Sequence, residues 1–559
     1  LSLDSASIQV YYDNTASGNI NPDSLLNGPG LLGRPTDSSV TLSVLPAVDV
    51  DLYIEYGLQS GQYTGRTETF RVIKNVPIDI QLSHLSPDTR YHYRIQVRPA
   101  GTTLFYSRPE YTFHTQRRKG STFTFVVQAD PHLDEQSDTQ VYKICLQNQL
   151  ADQPDFMVDL GDFLMSDKLQ EPSYQKIEDR SLLLRRFYEV SGHTVPLFIA
   201  LGNHEGEAGW TLDGTANNVA IWNTLARKKY FPNPFPNHFF SGDTTNYPFV
   251  GQRESYFSWE WGDALFIVLD PYWYTNIKPT KDRWNWTLGK KQYDWLRRTL
   301  ETSTATFKFV FAHTLIGGSE SARGGVEFAN LYEWGGANED GSFGFSINRP
   351  GWYKPIHELL KENNATLFFH GHDHFYANQQ LDCIGYQLVP QPSHPQFLTA
   401  IQAQDYGYLQ GTIIPNAGHL RVTVSSDAVK VDYIRAFKPE NETTTRKNRE
   451  IADSYTIRKG DCFTTGLIPG EENASNQFIQ HIYPNPMADK CFLEVNPHIL
   501  PEQLEFLLKN QLGQIVSAQA IWGTQTIEYD LKNNPPGLYT LVVRHKKNGQ
   551  IESHILVKK

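Results

Sequence analysis

Six short segments of the chain are apolar almost without interruption: "FTFVVQAD", "PDFMVDLGD", "VPLFIALGNHE", "ALFIVLD", "FKFVFAHT" and "ATLFFHGHDH". Runs of this length suit strands covered on both faces. Between several of them, "QVYKICLQNQLAD", "DRSLLLRRFYEVSG", "KKQYDWLRRTLETS" and "WYKPIHELLKENN" repeat apolar residues three and four positions apart, which predicts helices. Strand alternating with helix predicts an α/β sheet domain over residues 119–458.

The flanks read differently. Residues 1–118 alternate apolar and polar, as in "VTLSVLP", "DLYIEYG" and "YHYRIQVRP", with Pro, Gly and Asp between the runs, so half-buried strands of a β-sandwich are expected. Nothing there carries chemistry. "LSPDTRYHY", residues 85–93, resembles the corner of a fibronectin type III or immunoglobulin-like sandwich, where a Tyr such as Tyr91 bonds back to nearby backbone. A polar stretch at 459–476 reads as a linker. From 477 to 559 the β pattern returns in "FIQHIYPNPMADKCFLEV", "LEFLLKNQLGQIV" and "GLYTLVV", giving a separate small sandwich of about eighty residues.

Composition narrows the partners. A chain of 559 residues, 39% hydrophobic and 20% charged, has material for several cores. Its net charge of −11 excludes nucleic acid as a bulk partner, because phosphate backbones are held mainly by surplus Lys and Arg, yet it leaves room for a local phosphate site. No apolar run approaches the roughly 18–20 residues of a membrane span. The sequence opens at Leu1 without an initiator Met or a charged-then-apolar leader, so it reads as soluble and already trimmed. Cys145, Cys383, Cys462 and Cys491 are too scattered for a zinc ribbon or a redox pair, and leave both disulfides and unpaired thiols open.

Each polar cluster of the middle domain follows an apolar run, at the carboxyl end of a strand, where open α/β sheets bind ligands. "FTFVVQA" leads to Asp130 and His132, "DFMVDL" to Gly161 and Asp162, and "LFIAL" to Gly202, Asn203, His204 and Glu205. "FKFVFA" leads to His313, and "ATLFFH" to Gly371, His372, Asp373 and His374. Gathered at one edge, these carboxylates, imidazoles and an amide exceed the needs of one ion. The donors suit Zn, Mn or Fe better than Ca or Mg. Two ions about 3.5–4 Å apart would suit in-line displacement at phosphorus.

The ordered set Asp-x-His, Gly-Asp, Gly-Asn-His-Glu, Val-x-x-His and Gly-His-x-His resembles the calcineurin-like metallophosphoesterase superfamily. With a sandwich in front, the arrangement is similar to purple acid phosphatases. The resemblance implies an α/β/β/α four-layer domain, with Asp130, His132, Asp162 and His374 at one metal, Asp162, Asn203, His313 and His372 at the other, and Asp162 bridging. It implies that a metal-bridging hydroxide attacks phosphorus while His204 assists the leaving group and Asp130 helps to hold His204. Where purple acid phosphatases carry an iron-ligating Tyr, this sequence has Met165, and their glycine-like position in the first motif is His132. One ligand is lost and one gained, so the expectation is a colourless centre with weaker preference for ferric iron and no implied acid pH optimum. His370 reads as the last strand residue, and His193, His238, His357, His394 and His419 as surface or satisfied core residues.

Two insertions, "LDPYWYTNIKPTKDRWNW" and "GGSESARGGVEFANLYEWGGANEDGS", offer Tyr272 and Arg323 as substrate-binding candidates, Arg323 because a guanidinium grips phosphate oxygens in pairs. In the last region "YPNP", "LGQIV", "GLYTLVV" and the terminal Lys558-Lys559 resemble the C-terminal sorting domain read by the type IX secretion system of Bacteroidota, which implies export to the cell surface or medium. The expected protein is a secreted two-metal phosphatase acting on phosphate monoesters. A phosphodiesterase acting on nucleotide or phospholipid-type diesters shares every ligand, and a non-catalytic surface binding protein is the reading outside the enzymes.

Overall fold

In the strand Phe123–Gln128, Phe123, Phe125 and Val127 enter one apolar core and Val126 another. That double burial is what an unbroken apolar run supplies. The computed structural model describes residues 21–462 and, apart from 484–486, 497–498, 511–514, 517–518, 523–525 and 547–550, residues 478–558. In it this strand belongs to a six-stranded sheet ordered Leu197–Ile199, Phe156–Asp159, Phe123–Gln128, Gly418–Val424, Ala428–Arg435 and Ile451–Arg458. The first three run parallel and the rest antiparallel.

An eight-stranded sheet faces it. Its middle strands Ala264–Val268, Phe307–Phe311, Leu367–His370 and Ile384–Leu388 are parallel. Phenylalanines from both sheets interlock between them, Phe125 with Phe266 at 5.1 Å and Phe156 with Phe266 at 5.2 Å between ring centres, each edge to face. Helices Thr139–Ala151, Tyr174–Gly192 and Val219–Tyr230 cover the outer face of the first sheet. Gly289–Thr302 and Ile356–Glu362 cover that of the second. The layers therefore run α/β/β/α, and the carboxyl ends of the parallel strands of both sheets open on one edge.

The N-terminal strands form a three-stranded sheet, Leu31–Gly33, Val40–Val44 and Ile78–Leu82, opposite a larger one built on Val50–Gly57 and Arg90–Pro99. The Tyr91 hydroxyl accepts the backbone N–H of Ser86 at 2.8 Å, the corner bond expected of it. Val40–Val44 departs from expectation, since all five residues are buried rather than every second one. Helix Tyr174–Gly192 covers its other face. Arg185 of that helix, 1% exposed, donates to Ser43 O at 2.6 Å, Ser43 Oγ at 3.2 Å, Tyr230 O at 2.6 Å and Glu189 at 3.1 Å.

The C-terminal strands pair as four (Ile479–Tyr483, Lys490–Val495, Thr526–Asp530, Gln519–Trp522) and three (Leu504–Asn510, Gly537–His545, Ile551–Lys558) around their own core. Pro484–Pro486 of "YPNP", Leu512–Gln514 of "LGQIV", residues 463–476 of the linker and Lys559 lie outside the described residues. Lys558 is not a displayed charge. It is 7% exposed, and its ammonium donates to the carbonyls of Leu531 at 2.8 Å, Lys532 at 3.3 Å and Asn534 at 2.7 Å. Cys383 and Cys462 form a disulfide that ties the turn after Tyr376–Leu381 to the chain following edge strand Ile451–Arg458, while Cys145 and Cys491 are buried thiols.

Removing the Arg185 guanidinium would strand Glu189 and three acceptors in the joint between the sandwich and the α/β/β/α domain. Arg185→Ala should lower stability by about 3–5 kcal/mol, read from the guanidinium unfolding midpoint. A loss under about 1 kcal/mol, the size of a solvated pair, would show that the joint does not depend on it.

Candidate metal centre

The parallel strands deliver their side chains through backbone that ordinary residues avoid. Asp130, His132, Asp162, His372 and His374, five of the seven expected ligands, have φ of 59°, 52°, 58°, 77° and 61°. Left-handed conformations of this kind in non-glycine residues persist only where surrounding contacts enforce them. At Asp162 the enforcing contact comes from Glu205. Its buried carboxylate accepts the N–H groups of Asp162 at 2.9 Å, Phe163 at 2.7 Å, Leu164 at 3.1 Å and also Gly202, binding the second motif loop to the third. The loops then touch so closely that a Cβ on Gly202 would lie 2.2 Å from Asp162 Oδ1, and one on Gly371 2.6 Å from Asp130 Oδ2.

Two groups of donors result, each with its atoms within 4.8 Å of one another: Asp130, His132 and His374, and Asp162, His313 and His372. Asp162 Oδ2 lies between them, 3.8 Å from His132 Nε2 and 3.0 Å from His313 Nε2. Each carboxylate has one oxygen committed to backbone: Asp130 Oδ2 accepts from His372 N at 2.8 Å, and Asp162 Oδ1 from His204 N at 2.7 Å. The other oxygens, together with His132 Nε2, His313 Nε2 and Asn203 Oδ1, are buried without a hydrogen-bond partner. Unpaired buried polar atoms are costly, and five from expected ligands facing one small volume fit a cation that would satisfy them.

The imidazoles are aimed by their other nitrogens. His313 Nδ1 donates to Leu160 O at 3.0 Å, which bares its Nε2, whereas His372 Nε2 donates to Ser321 O at 2.8 Å, which bares its Nδ1. Asp134 stands 3.5 Å behind His132 Nδ1. Arg180, on helix Tyr174–Gly192, holds the carbonyls of His132 at 3.3 Å, Leu133 at 3.2 Å and Leu164 at 3.1 Å. Gln402 and Asn416 hold the carbonyl of His374.

His204 meets a partner that the motifs did not reveal. Both oxygens of Asp167 lie 2.8 Å from its Nδ1, leaving Nε2 turned to the centre, 4.0 Å from Asp162 Oδ2. Burial lowers its pKa, but Asp162 and Asp167 outweigh that and raise it. Asp167, not Asp130, makes the hydrogen bond to the His204 ring here; Asp130 Oδ2 accepts from His372 N. Met165 is 2% exposed and caps the turn Ser166–Lys168 that carries Asp167.

The two substrate-binding candidates lie in different settings. Tyr272 is 1% exposed, its hydroxyl buried without a hydrogen-bond partner and its ring centre 6.4 Å from the His313 imidazole. Arg323 spends Nη1 on His372 O at 2.9 Å and Asp373 Oδ1 at 3.0 Å. The two ends of the first insertion turn inward, with Trp273 and Trp286 both 6% exposed, while residues 276–278 and 280–282 are exposed. His370 ends its strand, 1% exposed and stacked on Phe368. His193, His357, His394 and His419 pair with Glu189 O, Tyr386, Gln396 O and Asp152, and His238 is exposed. His357 also belongs to a third donor group with Glu358 and Asp382, but Lys361 already neutralises Asp382 there at 2.9 Å.

Comparison with known proteins agrees with this geometry. Residues 123–376 match the family model for calcineurin-like phosphoesterases, and residues 481–558 that for a secretion system C-terminal sorting domain. The latter marks the chain for export by the type IX route to the surface or medium, and no described helix is long and apolar enough to cross a membrane. No curated protein sequence matches significantly. Among solved structures, PhoD is similar in fold at 15% identity and TM-score 0.58, over 81% of this chain and 94% of that one. GAP50 of the Plasmodium inner membrane complex aligns at 13% identity over 61% and 90% of the two chains, with a TM-score of 0.34 too low to argue from.

In the apoprotein, burial disfavours charged imidazole, yet the Asp130, Asp134 and Asp162 carboxylates push His132 up to about 11, and Asp162 and Asp130 push His313 up to about 9. Both must lose a proton to bind a cation. Zinc binding at pH 7 should therefore release protons, and affinity should rise with pH until about 9 to 11. Calorimetry in buffers of different ionisation enthalpy reads the release directly, and a heat independent of buffer would contradict it.

Proposed function

We propose that this chain, whose residues 123–376 form a calcineurin-like phosphoesterase domain, is an exported two-metal hydrolase of phosphate monoesters. The observation that carries the reading is the convergence of unpartnered atoms from Asp130, His132, Asp162, Asn203 and His313 at the joint of the two sheets. Asp130, His132, Asp162 and His374 are assigned to one ion, and Asp162, Asn203, His313 and His372 to the other. The position of Asp162 Oδ2 between the two donor groups supports its bridging role. Bound there, divalent cations supply Lewis-acid charge and acidify water.

The rest falls to the protein. Asp167 fixes the His204 ring by its Nδ1–H, so the proton on Nε2 is the one presented to a leaving oxygen. The second and third motif loops, tied together by Glu205, keep that imidazole beside the ligands, so the proton donor and the leaving oxygen need little reorganisation to meet. The choice of monoesters rests on the similarity of the motif order and leading sandwich to purple acid phosphatases. Diesters are the second reading, since they require no different ligand.

The metal-loaded protein, assayed on the monoester and diester of one aryl alcohol, should favour the monoester in kcat/KM, and Asn203→Ala should lose more than about 100-fold. Equal background rates for wild type and variant would remove the enzyme reading. A second prediction isolates proton donation. Asp167→Asn should slow alkyl phosphates about 10- to 100-fold and aryl phosphates much less, because a phenolate leaves without help. An equal loss on both would show that Asp167 acts otherwise.

A further inference from the structure

The second insertion is built against one histidine. Ser321 and Ala322 both adopt left-handed backbone, φ 60° and 64°. That kink aims the Ser321 carbonyl at His372, whose Nε2–H it accepts at 2.8 Å. Two residues on, Arg323 reaches the same residue from its other end, donating through Nη1 to His372 O at 2.9 Å. The anchors continue outward. Asp373 receives Arg323 Nη1 at 3.0 Å, the N–H of Gly324 at 2.9 Å and the Tyr408 hydroxyl at 2.7 Å, while the Tyr406 ring lies beneath the guanidinium at 4.2 Å.

No comparable contact from this loop reaches His374. Among the described residues its carbonyl is held by Gln402 at 3.3 Å and by Asn416, from a different stretch of chain. The two histidines of one short motif are thus supported by separate structures. His372 also stands apart chemically, presenting Nδ1 to the centre where His313 presents Nε2.

We propose that the Ser321–Gly324 loop is a positioning element for one cation site, and that Arg323 is a positioning residue acting through His372 rather than a substrate contact. The loop selects the His372 tautomer through Ser321 O and fixes the ring's origin through Arg323. Outer contacts of this kind are worth about 10- to 100-fold in metal affinity. The inference rests on the two-ion assignment above and extends it to a division of labour: the 321–324 loop governs the Asp162, Asn203, His313 and His372 site, and Gln402 the other.

Stepwise cobalt(II) titration of the apoprotein, followed by visible absorption and by equilibrium dialysis without substrate, tests it. Arg323→Ala should weaken one binding step about 10- to 100-fold and leave the other in place, and Arg323→Lys should recover part of the loss. Gln402→Ala should shift the opposite step. Tyr406→Leu, which removes only the ring under the guanidinium, should shift the same step as Arg323→Ala by less and serves if the alanine variant does not fold. Unchanged cobalt binding with a KM for phosphate ester raised more than tenfold would overturn the proposal, as would equal weakening of both steps. Because binding is read without substrate, cobalt uptake with no hydrolysis by wild type would count against the proposed activity and not against this inference.

Discussion

Two buried carboxylates with one free oxygen each, Asp130 and Asp162, set the terms for everything around them. Removing a carboxylate from water costs several kcal/mol even after relaxation, so each must be compensated or must give up its charge. Burial raises the pKa of both, yet the imidazoles of His313 and His374 around Asp130, and of His313 and His204 around Asp162, hold them well below the ordinary range. The protein thus keeps its anions ionised without a single Lys or Arg among the expected ligands. Compensation by neutral-capable imidazoles is reversible, which suits a place where a cation binds.

Keeping the donors together against strained backbone demands a rigid surround, and one helix links that surround to the first domain. On Tyr174–Gly192, Arg180 grips the carbonyls of His132, Leu133 and Leu164, and Arg185 grips Ser43 of the sandwich one and a half turns later. The sandwich lies far from any reacting group but seats this helix. Tyr93 extends the joint, its hydroxyl donating to His193 O at the helix end at 2.6 Å. A non-catalytic domain thereby bears on the geometry of the first two motifs.

What could be read from the sequence was whatever is local in the chain. Apolar runs followed at once by Asp, Asn and His state both the strand and its ligand, because a parallel strand buried on two faces leaves no other pattern. Partners brought in from afar left no such trace. Asp167 and Asp134 sit in ordinary polar turns, and Gln402 and Asn416 come from beyond the last motif. The antiparallel strands Gly418–Val424, Ala428–Arg435 and Ile451–Arg458, which complete the first sheet, mix charged residues into their runs because they lie toward its edge. The contacts of Arg323 left no trace in sequence for a related reason: a guanidinium that fits a phosphate fits a carbonyl beside a carboxylate equally well. The all-buried Val40–Val44 was missed because its second cover is a helix some 140 residues away in sequence.

If the proposed ligand set holds, Met165 in place of the Tyr of purple acid phosphatases and His132 in place of their glycine-like position change the charge of the centre, not its donor count. Among Asp130, His132, Asp162, Asn203, His313, His372 and His374 only the two aspartates are anionic. A phenolate would add a third negative charge and stabilise a trivalent ion, whereas His132 binds as a neutral donor. With two divalent ions the charge of the site already exceeds that of its ligands, and a ferric ion would widen the excess inside a low-dielectric joint where uncompensated charge is expensive. Under the proposed assignment, the sequence change would favour divalent over trivalent cations. On the proposed two-ion assignment, the net positive charge left over would attract an anionic phosphate ester without a dedicated arginine, consistent with the engagement of Arg323 by His372 O and Asp373.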